Sequence, residues 1–300
     1  MQPTPVITIP TGDSHPVVAD WYAPHGADHH NIERVVVMSH GFKGHRRWGF
    51  IPIVATRLQL KGFGVLAIDF SYNGHVPADG TVVEEVAEGF VAPELFRDNT
   101  IARELDDLGH VLKWLRDPVG GAFLLGLSEN AVIGLWGHSR GGVVSIVTAL
   151  EDPGVVALAT WSALAHPDHY TARQKEQWRT KGEFSFTDYA SGTSLALGRA
   201  YLDDIETRRD AYAVGDRAQD LTIPHLIVHG EHDPTVPVAD SYRFYDTPTI
   251  RADKKLLRLL TGHTYGYDDG RIASEALDNA ITATEEWFET YLTARSARES

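Results

Sequence analysis

Gly137-His138-Ser139-Arg140-Gly141, followed by Gly142, sets a serine between flanking glycines. The apolar run 132–136 precedes it and a helical stretch to about residue 150 follows, so Ser139 stands at a turn from strand into helix. So sharp a turn strains the backbone at the serine, and flanking residues without a Cβ let the chain close around it. The hydroxyl is then projected above the C-terminal edge of a sheet, beside the positive end of a helix. A serine hydroxyl is a weak nucleophile alone; it needs a base within reach and a carboxylate to orient that base. Asp233, in Gly230-Glu231-His232-Asp233-Pro234-Thr235-Val236-Pro237, directly follows the apolar run 225–228. His263, in Thr261-Gly262-His263-Thr264-Tyr265-Gly266, directly follows the run 256–260. The three types in this order suit covalent acyl transfer, with Ser139 attacking, His263 taking its proton and Asp233 holding the imidazole tautomer.

Other residues compete for these roles. His138 adjoins the serine, but an elbow points successive side chains apart; His40 is better placed to fix a loop by hydrogen bonding. His225 and His229 share one face of a strand without a carboxylate set to complete a metal site, which favours packing or surface roles. His29 and His30 read as exposed loop. Asp69, ending the run 65–68, reaches the same sheet edge and could serve as the acid, line a pocket or brace a loop, whereas Asp268 and Asp269 follow His263 too closely to fold back onto it. Arg46 and Arg47 could bind an acidic substrate group, although solvated surface charge is the favoured reading.

The elements that must carry these residues alternate. A hairpin over 6–9 and 17–23 leads into a strand at 35–38, a helix at 48–60, a strand at 65–68 and a helix at 98–116, whose Ile101, Leu105, Leu108, Leu112 and Leu115 share a face. Strands at 132–136, 155–160, 225–228 and 256–260 and a closing helix at 272–292 complete the series. Short apolar strands alternating with helices imply a parallel sheet, with every candidate residue on a loop leaving a C-terminal strand end. Residues 166–217 break the alternation: no strand is evident, helix-like stretches fall near 171–180 and 194–214, and the aromatics Tyr170, Trp178, Phe184, Phe186, Tyr189, Tyr201 and Tyr212 cluster there. This segment is read as a cap inserted after the sixth strand, giving a core of residues 1–165 and 218–300.

Composition narrows the rest. The 300 residues carry a net charge of −14, which disfavours nucleic acid and anionic membranes as partners because both need clustered Lys and Arg. With no cysteine there are no disulfides, thiolate metal sites or cysteine nucleophile. The first residues lack the basic and apolar regions of an export signal, and no apolar run approaches the roughly 20 residues that span a bilayer. A cytoplasmic monomer or homodimer acting on a small molecule is expected.

With Ser139, Asp233 and His263 in that order, the motif Gly-x-x-Asp-x-x-Val-Pro at Asp233 and Gly-His at His263, the chain resembles the α/β-hydrolase superfamily over its full length. It looks most like capped serine esterases of the cinnamoyl and feruloyl esterase type and like dienelactone-hydrolase relatives. The resemblance implies an α/β-hydrolase fold: a mostly parallel central sheet flanked by helices, with a helical cap after the sixth strand. Ser39-His40-Gly41-Phe42-Lys43-Gly44 resembles that family's His-Gly loop, which supplies an oxyanion amide. An oxyanion hole needs two backbone N–H groups; the residue after the nucleophile, Arg140, is one natural donor, and Phe42, beyond Gly41, is the second. The expected activity is cleavage of carboxylic esters of small to medium, including aromatic, acyl groups, with no metal or organic cofactor. Acyl-CoA thioesterase, serine peptidase and a non-catalytic small-ligand-binding protein are the alternatives. Trp178, Phe184 and Phe186 are the cap residues expected to read the acyl group.

Overall fold

The computed structural model describes residues 6–26, 31–77, 89–188, 191–248, 252–267 and 274–293. His29, His30, Tyr189, Asp268, Asp269 and the first residues expected in the closing helix lie outside them. In chain order the elements are β1 (Val6–Ile9), β2 (Val17–Tyr22), β3 (Ile32–Ser39), α1 (Ile51–Leu60), β4 (Gly64–Asp69), α2 (Pro93–Asp98), α3 (Ile101–Arg116), α4 (Gly121–Leu125), β5 (Leu127–His138), α5 (Arg140–Glu151) and β6 (Val155–Trp161). There follow α6 (Ala172–Lys181), β7 (Glu183–Thr187), β8 (Ser194–Gly198), α7 (Arg199–Thr207), α8 (Val214–Arg217), β9 (His225–Gly230), α9 (Ala239–Asp246), β10 (Lys254–Leu259) and α10 (Glu275–Tyr291).

Eight strands form one sheet in the order β1-β2-β4-β3-β5-β6-β9-β10, antiparallel at β1/β2 and β2/β4 and parallel elsewhere. Alternation along a strand sends neighbouring side chains to opposite faces: Val35 and Val37 join the cluster under α3 and α5, while Val36 and Met38 join the one under α1 and α10. Both faces are therefore covered, as the continuous apolar runs of the inner strands require.

The helix expected at 98–116 is α3, which starts three residues later, and a separate short helix, α2, precedes it. Thr100 accepts a hydrogen bond from the Arg103 amide at 3.1 Å, capping α3 and ending α2 before Asn99. The inner face of α3 buries Ile101, Leu108, Val111, Leu112 and Leu115, each contributing about 1.5–3 kcal/mol. It also buries Glu104 and Asp107, two carboxylates that an apolar periodicity does not single out.

Residues 166–217 also differ from expectation, because β7 and β8 pair as an antiparallel hairpin with Phe184 opposite Leu197 and Phe186 opposite Leu195. The stretch 194–214 thus begins as a strand, and its helices are α7 and α8. Trp178, Leu195, Leu197, Tyr201, Leu202, Ile205 and Tyr212 bury themselves in the cluster under α3 and α5, and Asp204 of α7 accepts from the Ala102 amide of α3 at 3.0 Å. Among the described residues, no helix is long and apolar enough to cross a membrane.

Candidate active site

Parallel strand register brings the sequence-selected residues to one sheet edge. Ser39 of β3 lies opposite Gly137 of β5, His138 of β5 opposite Trp161 of β6, and Leu259 of β10 opposite Gly230 of β9; the loops holding Phe42, Ser139, Asp233 and His263 leave from these ends. Ser139 has φ 54° and ψ −119°, a conformation that residues other than glycine seldom adopt. Its N–H donates to the Trp161 carbonyl at 2.9 Å, which anchors the turn. A Cβ at Gly137 would meet Ser145 Oγ at 2.5 Å, and one at Gly141 would run into the carbonyl oxygens of Ser39 and His40. The two glycines let α5 start directly against the β3 loop.

His263 Nδ1 lies 2.7 Å from Asp233 Oδ2. The other carboxylate oxygen accepts from the amides of Thr235 at 2.8 Å and Val236 at 2.9 Å. Burial raises the Asp233 pKa, but the His263 hydrogen bond and charge and these two amides outweigh it and bring it down to about 2. His229 stands behind, 3.7 Å from Asp233 Oδ2, and donates through Nε2 to the Val236 carbonyl at 3.0 Å. It braces the loop of Asp233, a contact invisible in sequence because Val236 approaches only after the chain turns. His225 is buried on Thr160 Oγ1 at 2.8 Å, in the packing role expected of it.

Ser139 and His263 line one cleft of about 250 Å³ with Gly41, Phe42, Lys43, Gly44, Trp48, His138 and Thr235. Their side chains share no hydrogen bond among the described residues. His138 is buried, and its Nε2 donates to the His263 carbonyl at 3.2 Å, so it holds the loop of the neighbouring histidine. Trp48 stacks on the His138 ring with centroids 5.5 Å apart, forming a wall of the cleft that no sequence motif marked.

Neither the Phe42 nor the Arg140 amide has a protein acceptor among the described residues. The loop that carries Phe42 is set by side chains. His40 Nδ1 donates to the Gly41 carbonyl at 2.8 Å while its Nε2 accepts from the Phe70 amide at 3.3 Å, and His75 Nε2 donates to the Lys43 carbonyl at 3.2 Å. Lys43 takes φ 62°, and its Nζ meets Asp188 of the 166–217 segment at 2.6 Å.

Asp69 has no hydrogen bond or ion pair with Ser139 or His263 among the described residues. It is buried and paired with Arg46, accepting from that residue's amide at 2.6 Å and from its guanidinium. Arg46 also reaches Asp20 at 2.9 Å, and Arg47 reaches the same carboxylate at 2.5 Å. Of the two arginines expected as solvated surface charge, Arg46 is thus buried and Arg47 half-buried; the network ties the loop after β3 to β2 and β4. Trp178, expected to read substrate, is fully buried among Tyr170, Phe184 and Tyr201 and does not line the cleft. Phe184 and Phe186 are half-buried, and Phe186 comes within 5.6 Å of the Phe42 ring. Among the described residues, no three His, Asp or Glu side chains gather as a metal site.

No family profile and no curated protein matches the sequence. Solved structures do match in fold. Est1E from Butyrivibrio proteoclasticus, in a structure with ferulic acid bound, is 22% identical with a TM-score of 0.64, covering 95% of this chain and 98% of that one. Dienelactone hydrolase from Anabaena variabilis is 17% identical with a TM-score of 0.57, covering 98% and 100%. Mouse alpha/beta hydrolase domain-containing protein 10 is 14% identical with a TM-score of 0.67, covering 96% and 99%. With its strand order, its strained serine between β5 and α5, and these likenesses along nearly the whole chain, the protein has the α/β-hydrolase fold.

Proposed function

We propose that the protein hydrolyses carboxylic esters through an acyl-enzyme on Ser139. The observation that carries this reading is the Asp233–His263 pair, 2.7 Å apart, whose imidazole lines the same cleft as a serine on a strained strand-to-helix turn. With Nδ1–H donated to Asp233, Nε2 of the neutral ring is the free acceptor. It takes the Ser139 proton as Oγ bonds to the ester carbonyl carbon. The negative charge moves to the carbonyl oxygen, where the amides of Phe42 and Arg140 receive it. Collapse breaks the bond to the alcohol, which leaves with the proton from His263. Water then attacks the acyl-enzyme, giving its proton to the same nitrogen, and the acid departs as Oγ is reprotonated.

Phe42 and Trp48 give the cleft flat apolar walls, suited to small or medium acyl groups including aromatic ones. Est1E, whose structure holds ferulic acid, supports including hydroxycinnamoyl esters in that class. Residues 166–217 are the roof: Phe186 meets Phe42 and Asp188 pairs with Lys43 of the cleft wall.

The test is turnover of p-nitrophenyl, hydroxycinnamoyl and thioester substrates by the wild type and by Ser139→Ala. Ester turnover should exceed thioester turnover and fall in Ser139→Ala to the residue left by binding and the oxyanion amides. Turnover unchanged in that variant, or confined to thioesters, would overturn the proposal.

A further inference from the structure

The Arg140 side chain turns inward from the start of α5 and makes a buried ion pair with Glu104 of α3. Glu104 is held in turn by Asn99 Nδ2 at 2.8 Å, from the break between α2 and α3. The guanidinium carbon lies 4.8 Å from the centroid of the Phe42 ring and 5.9 Å from that of Tyr201. Phe96 and Phe186 pack the Phe42 ring at 5.4 and 5.6 Å. One of the two residues whose amides face the reacting oxygen is therefore gripped by the side chain of the other.

Stability alone gives little reason for charge at this place. Removing a guanidinium and a carboxylate from water is costly, and a well-packed apolar pair of similar volume often holds a fold as well or better. An anchored guanidinium differs from such a pair in presenting a rigid plane to an aromatic face in one orientation. Two amides that must meet one oxygen need that fixed relation, because a displacement of about 1 Å can cost on the order of 100-fold in rate.

We propose that the Glu104–Arg140 pair is a positioning device for the oxyanion hole, holding Phe42 so that its amide and that of Arg140 converge on one oxygen. This rests on the ester-hydrolase reading above. The amide of Arg140 is main chain and survives side-chain replacement, so substitution tests the grip and not the donor.

Two variants separate positioning from folding. Arg140→Met with Glu104→Gln removes both charges while keeping volume, and Arg140→Lys keeps a counter-charge for Glu104 but loses the plane over Phe42. For each, kcat and KM on a p-nitrophenyl ester, Tm, and the affinity of a trifluoromethyl ketone, which forms a tetrahedral adduct with an oxyanion, would be measured. In both, kcat should fall about 10- to 100-fold with KM little changed, and ketone affinity should fall with kcat/KM, whatever the change in Tm. Wild-type kcat and ketone affinity in either variant when folded would overturn the positioning role, as would losses that vanish once temperature is lowered below the unfolding range. A wild-type protein that turned over no ester and bound no ketone would remove the ester-hydrolase reading itself, and this proposal with it.

Discussion

Asp233 offers one carboxylate oxygen to His263 Nδ1 at 2.7 Å and gives the other to the amides of Thr235 and Val236. The two amides fix the carboxylate, and the carboxylate fixes the ring. Because these partners lower the Asp233 pKa to about 2, it stays ionised through the neutral range and can hold the imidazole in the tautomer that leaves Nε2 free.

Asp233→Asn should therefore lower kcat on the order of 10⁴-fold, the size of the loss when the equivalent change in a serine protease stabilises the wrong tautomer. Asp69→Asn should act differently, lowering stability by about 3 kcal/mol because it leaves the buried Arg46 guanidinium with less counter-charge, without the large loss in kcat. Steady-state kinetics and denaturant unfolding of the two variants check this; a large kinetic loss confined to Asp69→Asn would assign the acid to the wrong strand.

Asp107 sets a pH dependence of stability. Burial in α3 raises its carboxyl pKa to about 7, against the pull of the Ser71 amide and hydroxyl, both within hydrogen-bond reach. An aspartate in the unfolded chain titrates near 3.9, so the native state holds the proton more tightly. Its stabilising contribution is full below about pH 4 and is lost as pH rises through about 7. Subtracting the unfolding free energies of Asp107→Asn from those of the wild type between pH 4 and 8 should show that decline. A flat difference would mean that Asp107 is ionised throughout.

The proposed roof can be tested by comparing two aromatics of residues 166–217. Phe186 reaches Phe42 at the cleft, whereas Trp178 is enclosed by other aromatics of its own segment. Phe186→Ala should change the ratio of kcat/KM between a hydroxycinnamoyl and an acetyl ester, since the acetyl group is too small to need the roof. Trp178→Ala should lower Tm, at a cost of about 3–5 kcal/mol, and leave that ratio alone. The reverse pattern would mean that the segment packs against substrate through its core.

What the sequence made legible was local. Ser139, Asp233 and His263 each follow an apolar strand within a few residues, and glycines mark the turns, so strand ends and order were enough to bring the three to one sheet edge. Arg46 was misread because its counter-charges lie 26 and 23 residues away on β2 and β4, and only the sheet brings them together. Glu104 is not singled out by the sequence for the same reason: its partner Arg140 is 36 residues on. The hairpin of β7 and β8 was hidden because its strands are only five residues each, too short for an alternation to stand out among aromatics and flanking helices.

The most direct test of the central claim is reaction with a fluorophosphonate followed by peptide mapping of the adduct. The expected result is one phosphonyl group per chain, on the peptide holding Ser139, and none on Ser139→Ala. Modification of a different residue, or no modification of a folded wild-type protein that turns over esters, would contradict the assignment of Ser139 as nucleophile.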